Sequence, residues 1–446
     1  MKNINYIKIV TLSILFSMAV TSCNRDFPNP NNPTEEVVLN SKAGLFALSV
    51  GINQYYTTNT LRLAYEAPGI TTRELGVTNT FLNVTEPALG GGELTGESGA
   101  IINPWVALLR TKGMAEALLA NIDNVTLSDG TRSSLIAFAS FYKAITLGFL
   151  VQMYEQAPIN NAADGHAQFS DRAVVLAECI ALLENGRNEI NANGVSDDFK
   201  SKVLGSDMDL LNSINAYLSR YNLLAGNYNE AIASADAVLN SANQAPSVFV
   251  FDANNVNPIW DRTANSSQLD PQTNFGLVGA YIPEPGDGRV DFYLGADAGF
   301  ALADYGAQPL SAIKGFFESS TSAIPVYLKG EMLLNKAEAY ARLNDLPKAV
   351  IELNKVRTKK NDPLGVNADL APWGGNASNQ ADVLEEIYKN RCIELFITGM
   401  RLEDSRRFHP NYPTAGSATN ERNRNFYPYP TLERENNPNT PNDPSI

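Results

Sequence analysis

Residues 210–239 read LLNSINAYLSRYNLLAGNYNEAIASADAVL, and the fold turns on this stretch. Ile214, Tyr217, Leu218, Tyr221, Leu224 and Ala225 fall at i, i+3, i+4, i+7, i+10 and i+11. That spacing lays them along one face of a helix. Gly226 and Asn227 break the period, and Ala231, Ile232, Ala235, Val238 and Leu239 resume it as a second stripe. The unit recurs at 327–357. Leu333, Ala337, Tyr340 and Ala341 make one face, Leu343-Asn344-Asp345 a turn, and Ala349, Val350, Leu353 and Val356 the next face. Laying Gly226 on Asn344 brings Ala231 onto Ala349.

This small-residue helix–turn–helix resembles a tetratricopeptide unit. Alanines let two helices approach closely, but a lone pair cannot bury both faces, so more pairs are expected. Pro104 to Ile122 and Ser133 to Tyr154 supply one pair, Asp171 to Ile190 another helix, and Asp382 to Phe408 a last long one. Residues 241–325 interrupt the pattern. They are rich in Asn, Ser, Gly, Pro and aromatics and are too long for an ordinary connection, which points to a functional segment with some β structure. Residues 66–100, with Gly90-Gly91-Gly92, and the tail 409–446 also read as loop-rich. The expected fold class is therefore mostly α. Tetratricopeptide-like helical pairs form a scaffold, and a long loop-rich insertion at about 241–325 carries minor β structure. Residues 41–446 are expected to make a single domain whose loops converge on one side.

Composition narrows the function. The chain has 446 residues, 44% hydrophobic and 18% charged, with 34 basic against 48 acidic residues and a net charge of −14. A balance so acidic argues against a nucleic-acid partner, because phosphate contacts need concentrated Lys and Arg. Three cysteines and two histidines leave no room for a Cys₄ zinc site. The N-terminus reads as an address. Lys2 and Lys8 precede an apolar run from Ile9 to Val20, too short to span a membrane and suited to a signal-peptide core. Val20-Thr21-Ser22-Cys23 looks like a bacterial lipobox. Residues 1–22 would be removed and Cys23 would carry lipid, anchoring the chain to a membrane. Residues 23–40, rich in Asn and Pro, read as the lipidated cysteine and its tether. No later stretch reaches 18 apolar residues, so the remainder is expected to be soluble. Cys179 and Cys392 fall in apolar helical patterns and read as buried thiols.

These features together resemble the SusD/RagB family of Bacteroidetes outer-membrane lipoproteins. The passage from Tyr388 to Phe408 is similar to the family signature Glu-Arg-x-x-Glu-Leu-x-x-Glu-Gly-x-Arg-x-x-Asp-Leu-x-Arg-Trp. Arg391, Glu394, Leu395, Gly399, Arg401, Asp404 and Arg407 match it, whereas Asn390, Thr398, Ser405 and Phe408 depart. Lys336-Ala-Glu-Ala-Tyr with Leu353-Asn-Lys-Val-Arg357 resembles a second family unit, and Phe426-Tyr-Pro-Tyr-Pro with Glu433 and Asn436-Asn437-Pro438 the closing one. The resemblance implies a cell-surface protein that binds a nutrient, usually a glycan and sometimes a peptide. It implies a partner, a TonB-dependent β-barrel transporter (SusC-like), on which the protein acts as a hinged lid. It implies no enzymatic activity and no cofactor.

Arg391 and Glu394, and again Arg401 and Asp404, lie three apart on a helix, as a structural ion-pair network would. His166 and His409 have no metal-ligand pattern around them, no nucleophile elbow or P-loop occurs, and bound calcium stays open. Sugars are held by flat aromatics and planar polar groups. Trp105, at a helix start, reads as core. Trp260 is the leading ligand contact, with Asp261 and Arg262 beside it and Tyr281 downstream. Arg73 and Phe81 are candidates from the 66–100 zone. Two other classes compete: a surface scaffold or adhesin binding another protein, and a glycosidase using acids of the insertion such as Glu284 with Asp287 or Asp291.

Overall fold

A computed structural model describes residues 39–412 and 421–446. The expected signal segment, Cys23 and nearly all of the tether lie outside the described residues. The principal helices are α1 (Lys42–Tyr55), α2 (Leu61–Thr71), α3 (Leu82–Leu89), α4 (Gly99–Asn121), α5 (Asp129–Met153), α6 (Arg172–Asn193), α7 (Leu210–Ala225), α8 (Tyr228–Leu239), α9 (Lys329–Arg342), α10 (Leu346–Arg357), α11 (Gln380–Glu394) and α12 (Arg401–Phe408). From α4 to α11 each helix packs on the next, so the pairs stack into one array.

The two units read from the sequence close in the same way. Gly226 ends α7 with φ 81°, and the next amide, Asn227 N–H, donates to the Asn222 carbonyl at 2.8 Å. Asn344 follows α9 with φ 62°, and Asp345 N–H donates to the Tyr340 carbonyl at 2.8 Å. Both are left-handed helix ends that satisfy orphan carbonyls. The stripes then meet as small faces. Leu223 and Ala231 of the first unit pack on Ala339 of the second, and Ala337, Ala341, Ala349, Leu353 and Val356 pack with Val383 and Ile387 of α11. Ala225, expected on the buried stripe, is exposed because α7 ends there.

Helix α5 departs from the expectation that no later segment is apolar enough to span a membrane. By length and composition it could, but 94% of its apolar window is buried among α1, α4, α6 and α7. An all-round apolar helix is what the centre of a helical array requires. Trp105 is buried as expected, its indole N–H donating to Glu433 at 3.1 Å. Cys179 and Cys392 are buried free thiols, and burial pushes the Cys392 thiol up to about 12.

The segment expected as one helix from Asp382 to Phe408 is broken. Between α11 and α12 the chain turns through Ile397 (φ 50°) and Gly399 (φ 76°). A Cβ on Gly399 would lie 2.7 Å from the Ala64 carbonyl oxygen and 3.1 Å from the Phe149 ring, so the turn seats directly on α2 and α5. Likewise 66–100 is not all loop: it holds the end of α2 and all of α3.

The insertion is mostly irregular with short antiparallel pairs. β4 (Val248–Phe249) pairs with β8 (Ile324–Pro325), so its two ends meet at the array. β5 (Leu269–Pro271) pairs with β1 (Leu75–Val77) from the zone between α2 and α3. β6 (Leu294–Phe300) and β7 (Pro309–Ile313) form a hairpin packed on β5, and β2 (Gln156–Pro158) pairs with β3 (Phe169–Asp171) after α5.

Candidate functional site

The region signalled by the signature is a buried charge network. Arg391 binds Asp404 through two hydrogen bonds of 2.9 and 3.0 Å and donates to Asn335 at 2.8 Å. Glu338 accepts two bonds from Arg407 at 2.7 and 2.8 Å and one from Arg342 at 2.8 Å. Burial alone would raise the Glu338 carboxyl, but Arg407, Arg391 and Arg342 hold it down at about 2. The other two signature residues do not pair as their spacing suggested. Glu394 binds Arg289 (3.3 Å) and Lys359 (2.5 Å), both reaching in from outside the helix. Arg401 donates to the Phe275 and Cys392 carbonyls at 3.2 and 3.1 Å. The helix break between Glu394 and Arg401 redirects both side chains. Arg357 ties this core to the insertion, binding Glu284 at 2.8 and 2.9 Å and also Glu386. Asp287 is buried against Arg289 at 2.7 Å. Two of the insertion acids weighed for catalysis are thus committed to ion pairs.

A different arrangement lies where the insertion meets α2. A π-helical turn, Tyr56–Thr60, leads into α2 and sets Arg62 and Glu66 one helical turn apart, 2.6 Å between Nη1 and Oε2. From the insertion, Asn257 caps the turn Pro258–Trp260: its side-chain Oδ1 accepts from the Ile259 and Trp260 amides while Nδ2 donates to the Phe316 and Ser322 carbonyls. This turn packs on α2, and a second π-helical turn, Asp261–Asn265, follows it. Arg262 thereby reaches Glu66 with Nε at 3.1 Å and Nη2 at 3.0 Å, and gives Nη1 to Gln268.

These groups line a notch of about 60 Å³ with Asn83 of α3 and Gly99, Ala100 and Asn103 at the start of α4. Gly99 lies beside both asparagines: a Cβ there would be in ordinary contact with Asn103 Nδ2 at 3.5 Å and Asn83 Cβ at 3.7 Å. Neither amide has a hydrogen-bond partner among the described residues. Pro104 also lines the notch, and having no N–H it cannot close the helical bond to the Ala100 carbonyl. Unspent amides, a guanidinium and a backbone carbonyl in one recess suit hydroxyl-rich ligands. The volume matches about two waters, so it would receive one substituent of a larger molecule lying across the surface.

The structure distributes the expected contacts unevenly. Arg262 lines the notch, and Trp260 and Asp261 precede it on a turn against α2; Trp260 is half-buried and Asp261 accepts from Asn265 at 2.8 Å. Phe81, 57% exposed, stands just before α3, two residues from Asn83. Arg73 is not brought to the notch. It is buried with φ 68° and donates to the Ala88 carbonyl at 3.2 Å, and burial lowers its guanidinium. Tyr281 lies elsewhere too. Its hydroxyl donates to Glu385 at 2.5 Å, and its ring meets Tyr388 edge-on at 5.5 Å. There it borders a second, smaller cavity of about 40 Å³ with Tyr388, Tyr412 and Glu421. His409 Nδ1 lies 2.8 Å from Glu421, which also accepts from Tyr388, and burial pushes the Glu421 carboxyl up to about 8. Among the described residues no cluster of three His, Cys, Asp or Glu is placed to hold a metal ion.

Arg62, Glu66, Asn83 and Asn103 were not singled out from the sequence. Reading 61–71 as helix would have exposed the Arg62/Glu66 pair at i, i+4. Nothing local marks the two asparagines.

Residues 312–444, which include α9 to α12 and the charge network, match the model of the SusD family. That match bears out the resemblance of the sequence to the SusD/RagB family over its C-terminal third. No curated protein matches the sequence. Solved SusD-like structures share its fold across most of its length. A SusD-like carbohydrate binding protein from Bacteroides vulgatus is 19% identical with a TM-score of 0.65, covering 82% of this chain and 83% of its own. Another from Bacteroides fragilis is 16% identical, TM-score 0.66, covering 90% and 99%. B. fragilis NanU is 14% identical, TM-score 0.67, covering 93% and 99%. At such identities the likeness is one of fold. The notch lies N-terminal to the matched region, on α2, α3, α4 and the insertion.

Proposed function

We propose that this protein is a lipid-anchored, cell-surface nutrient-binding protein. It captures an oligosaccharide across the notch and docks as the lid of a SusC-like TonB-dependent β-barrel transporter. The observation that carries the reading is the recess itself: two amides without a hydrogen-bond partner among the described residues and the Arg62 guanidinium, where the insertion meets α2 to α4 of a SusD-like scaffold. Two of the solved neighbours are described as carbohydrate binding proteins, which supports the ligand class. Trp260 and Phe81, two residues in sequence from the lining residues Arg262 and Asn83, would stack on sugar faces, with Asp261 and Arg262 beside Trp260 in the chain. Binding without chemistry fits the insertion acids, since Glu284 and Asp287 are engaged by arginines. Residues 41–446 would act as one domain, anchored through Cys23 at the outer membrane and facing the exterior.

The test is affinity purification of the tagged full-length lipoprotein from detergent-solubilised outer membranes, followed by calorimetry against an oligosaccharide panel. A large β-barrel in near-equal amount, and a sugar whose affinity falls at least tenfold in Asn103→Ala, are the expected results. Purification with an unrelated partner and no sugar binding would replace this reading with that of a protein-binding scaffold.

A further inference from the structure

The notch is not neutral, and its imbalance has a shape. Two arginines share one carboxylate. Arg262 has every nitrogen occupied, Nε and Nη2 by Glu66 and Nη1 by Gln268. Glu66, buried, accepts from both arginines, so one carboxylate answers two guanidinium charges. Arg62 spends only Nη1 on it. The Nε–Nη2 edge of Arg62 has no partner among the described residues, and the side chain is 24% exposed. That edge is the one whose two parallel N–H bonds fit a carboxylate. Gly99 and Ala100 add the positive end of the 23-residue helix α4 to the same recess. The acids nearest in sequence, Glu97 and Asp261, do not line it. One surplus positive charge therefore faces a recess of carboxylate size in a chain of net charge −14.

We infer that the notch selects an acidic sugar, with a uronic-acid carboxylate on the free edge of Arg62 and neighbouring ring hydroxyls on Asn83 and Asn103. This rests on the sugar-binding reading above and names its substrate class.

The experiment is calorimetry on the mature protein with uronic-acid oligomers (galacturonate, glucuronate and mannuronate) and their carboxyl-reduced counterparts, each in 50 and 500 mM salt. The expected result is that at least one acid oligomer binds tenfold or more tighter than its reduced partner and that salt narrows the gap. Arg62→Gln should bring the acid-to-neutral ratio close to one while the thermal midpoint stays within a few degrees of wild type. Asn103→Ala should weaken acid and neutral forms alike. Equal affinity for acid and reduced oligomers overturns the acidic selectivity and leaves the sugar-binding reading standing. An acid preference that survives Arg62→Gln also overturns it, because the carboxylate then sits elsewhere. If no oligomer of either kind binds, the acidic selectivity is overturned, and the wider oligosaccharide panel decides the sugar-binding reading.

Discussion

Two buried carboxyls in this molecule titrate in opposite directions, and the difference lies in their neighbours. Glu338 sits among three guanidinium groups and is held down at about 2, below its ordinary 4.5. Glu421 is opposed by Arg422 but borders Glu385 and His409, and burial lifts it to about 8. A depressed carboxyl adds stability above its unfolded pKa and loses it as pH falls through the folded one. Glu338 should therefore give up its contribution between about pH 4.5 and 2. A raised carboxyl works the other way. The stability tied to protonated Glu421 should drain away as pH climbs from about 4.5 to 8, by at most about 1.4 kcal/mol per pH unit for one proton. Urea unfolding from pH 2 to 9 should show both limbs, with Glu421→Gln flattening the alkaline one. A wild-type curve flat from pH 5 to 8 would mean that Glu421 is ionised in the fold. Glu338→Gln leaves the buried Arg391 and Arg407 to share the single carboxylate of Asp404 and should cost roughly 3–5 kcal/mol, seen as a lower urea midpoint at pH 6.

At the scale of elements, the repeated helix ends make a sharper prediction. Gly226 has open space around its missing Cβ, so Gly226→Ala meets no neighbour and changes only the backbone energy of a left-handed residue. It should cost about 1–2 kcal/mol. Asn344, exposed at the same point of the second unit, already bears part of that strain, and Asn344→Gly should leave the melting midpoint unchanged or slightly higher. A large loss at Asn344 would show that its side chain, rather than its backbone angle, matters. These ends were readable because periodicity and punctuation are local: the alignment of Gly226 with Asn344 follows from the apolar stripes alone. The break at Ile397 and Gly399 was not, since what forces it is contact with Ala64 and Phe149, hundreds of residues away. The notch was hidden for the same reason. Arg62, Asn83, Asn103 and Arg262 come from four separate elements, and β1 pairing with β5 is what draws the insertion to α2 and α3. Arg73 misled because charge in a loop-rich zone suggested exposure, while the chain buries it.

For the whole molecule, the scaffold and the notch should respond differently to change. Substitutions in the notch ought to alter ligand affinity with little effect on unfolding, whereas Arg391→Ala, which strips Asp404 and Asn335 of a fully buried partner, should destabilise the protein by several kcal/mol. Paired calorimetric melts and ligand titrations would show two separable classes of variant. If notch variants melt as early as Arg391→Ala, the recess is part of the frame and the division fails.

The stacking of α8 on α9 has a consequence for how the chain reaches this state. The two helices are neighbours in space but lie about ninety residues apart along the backbone, so joining them means closing a long loop, at an entropic cost of roughly 4 kcal/mol. Helices α4 to α8 face no such delay, because their contacts lie close in sequence. Assembly should run in that order, with the Ala231 face of α8 waiting bare until Ala339 arrives and β4 meets β8. Pulse-labelled hydrogen exchange during refolding should find amides of α5 to α7 protected before those of α9 and α10. Chaperones that shield small apolar faces would have their moment in the interval between.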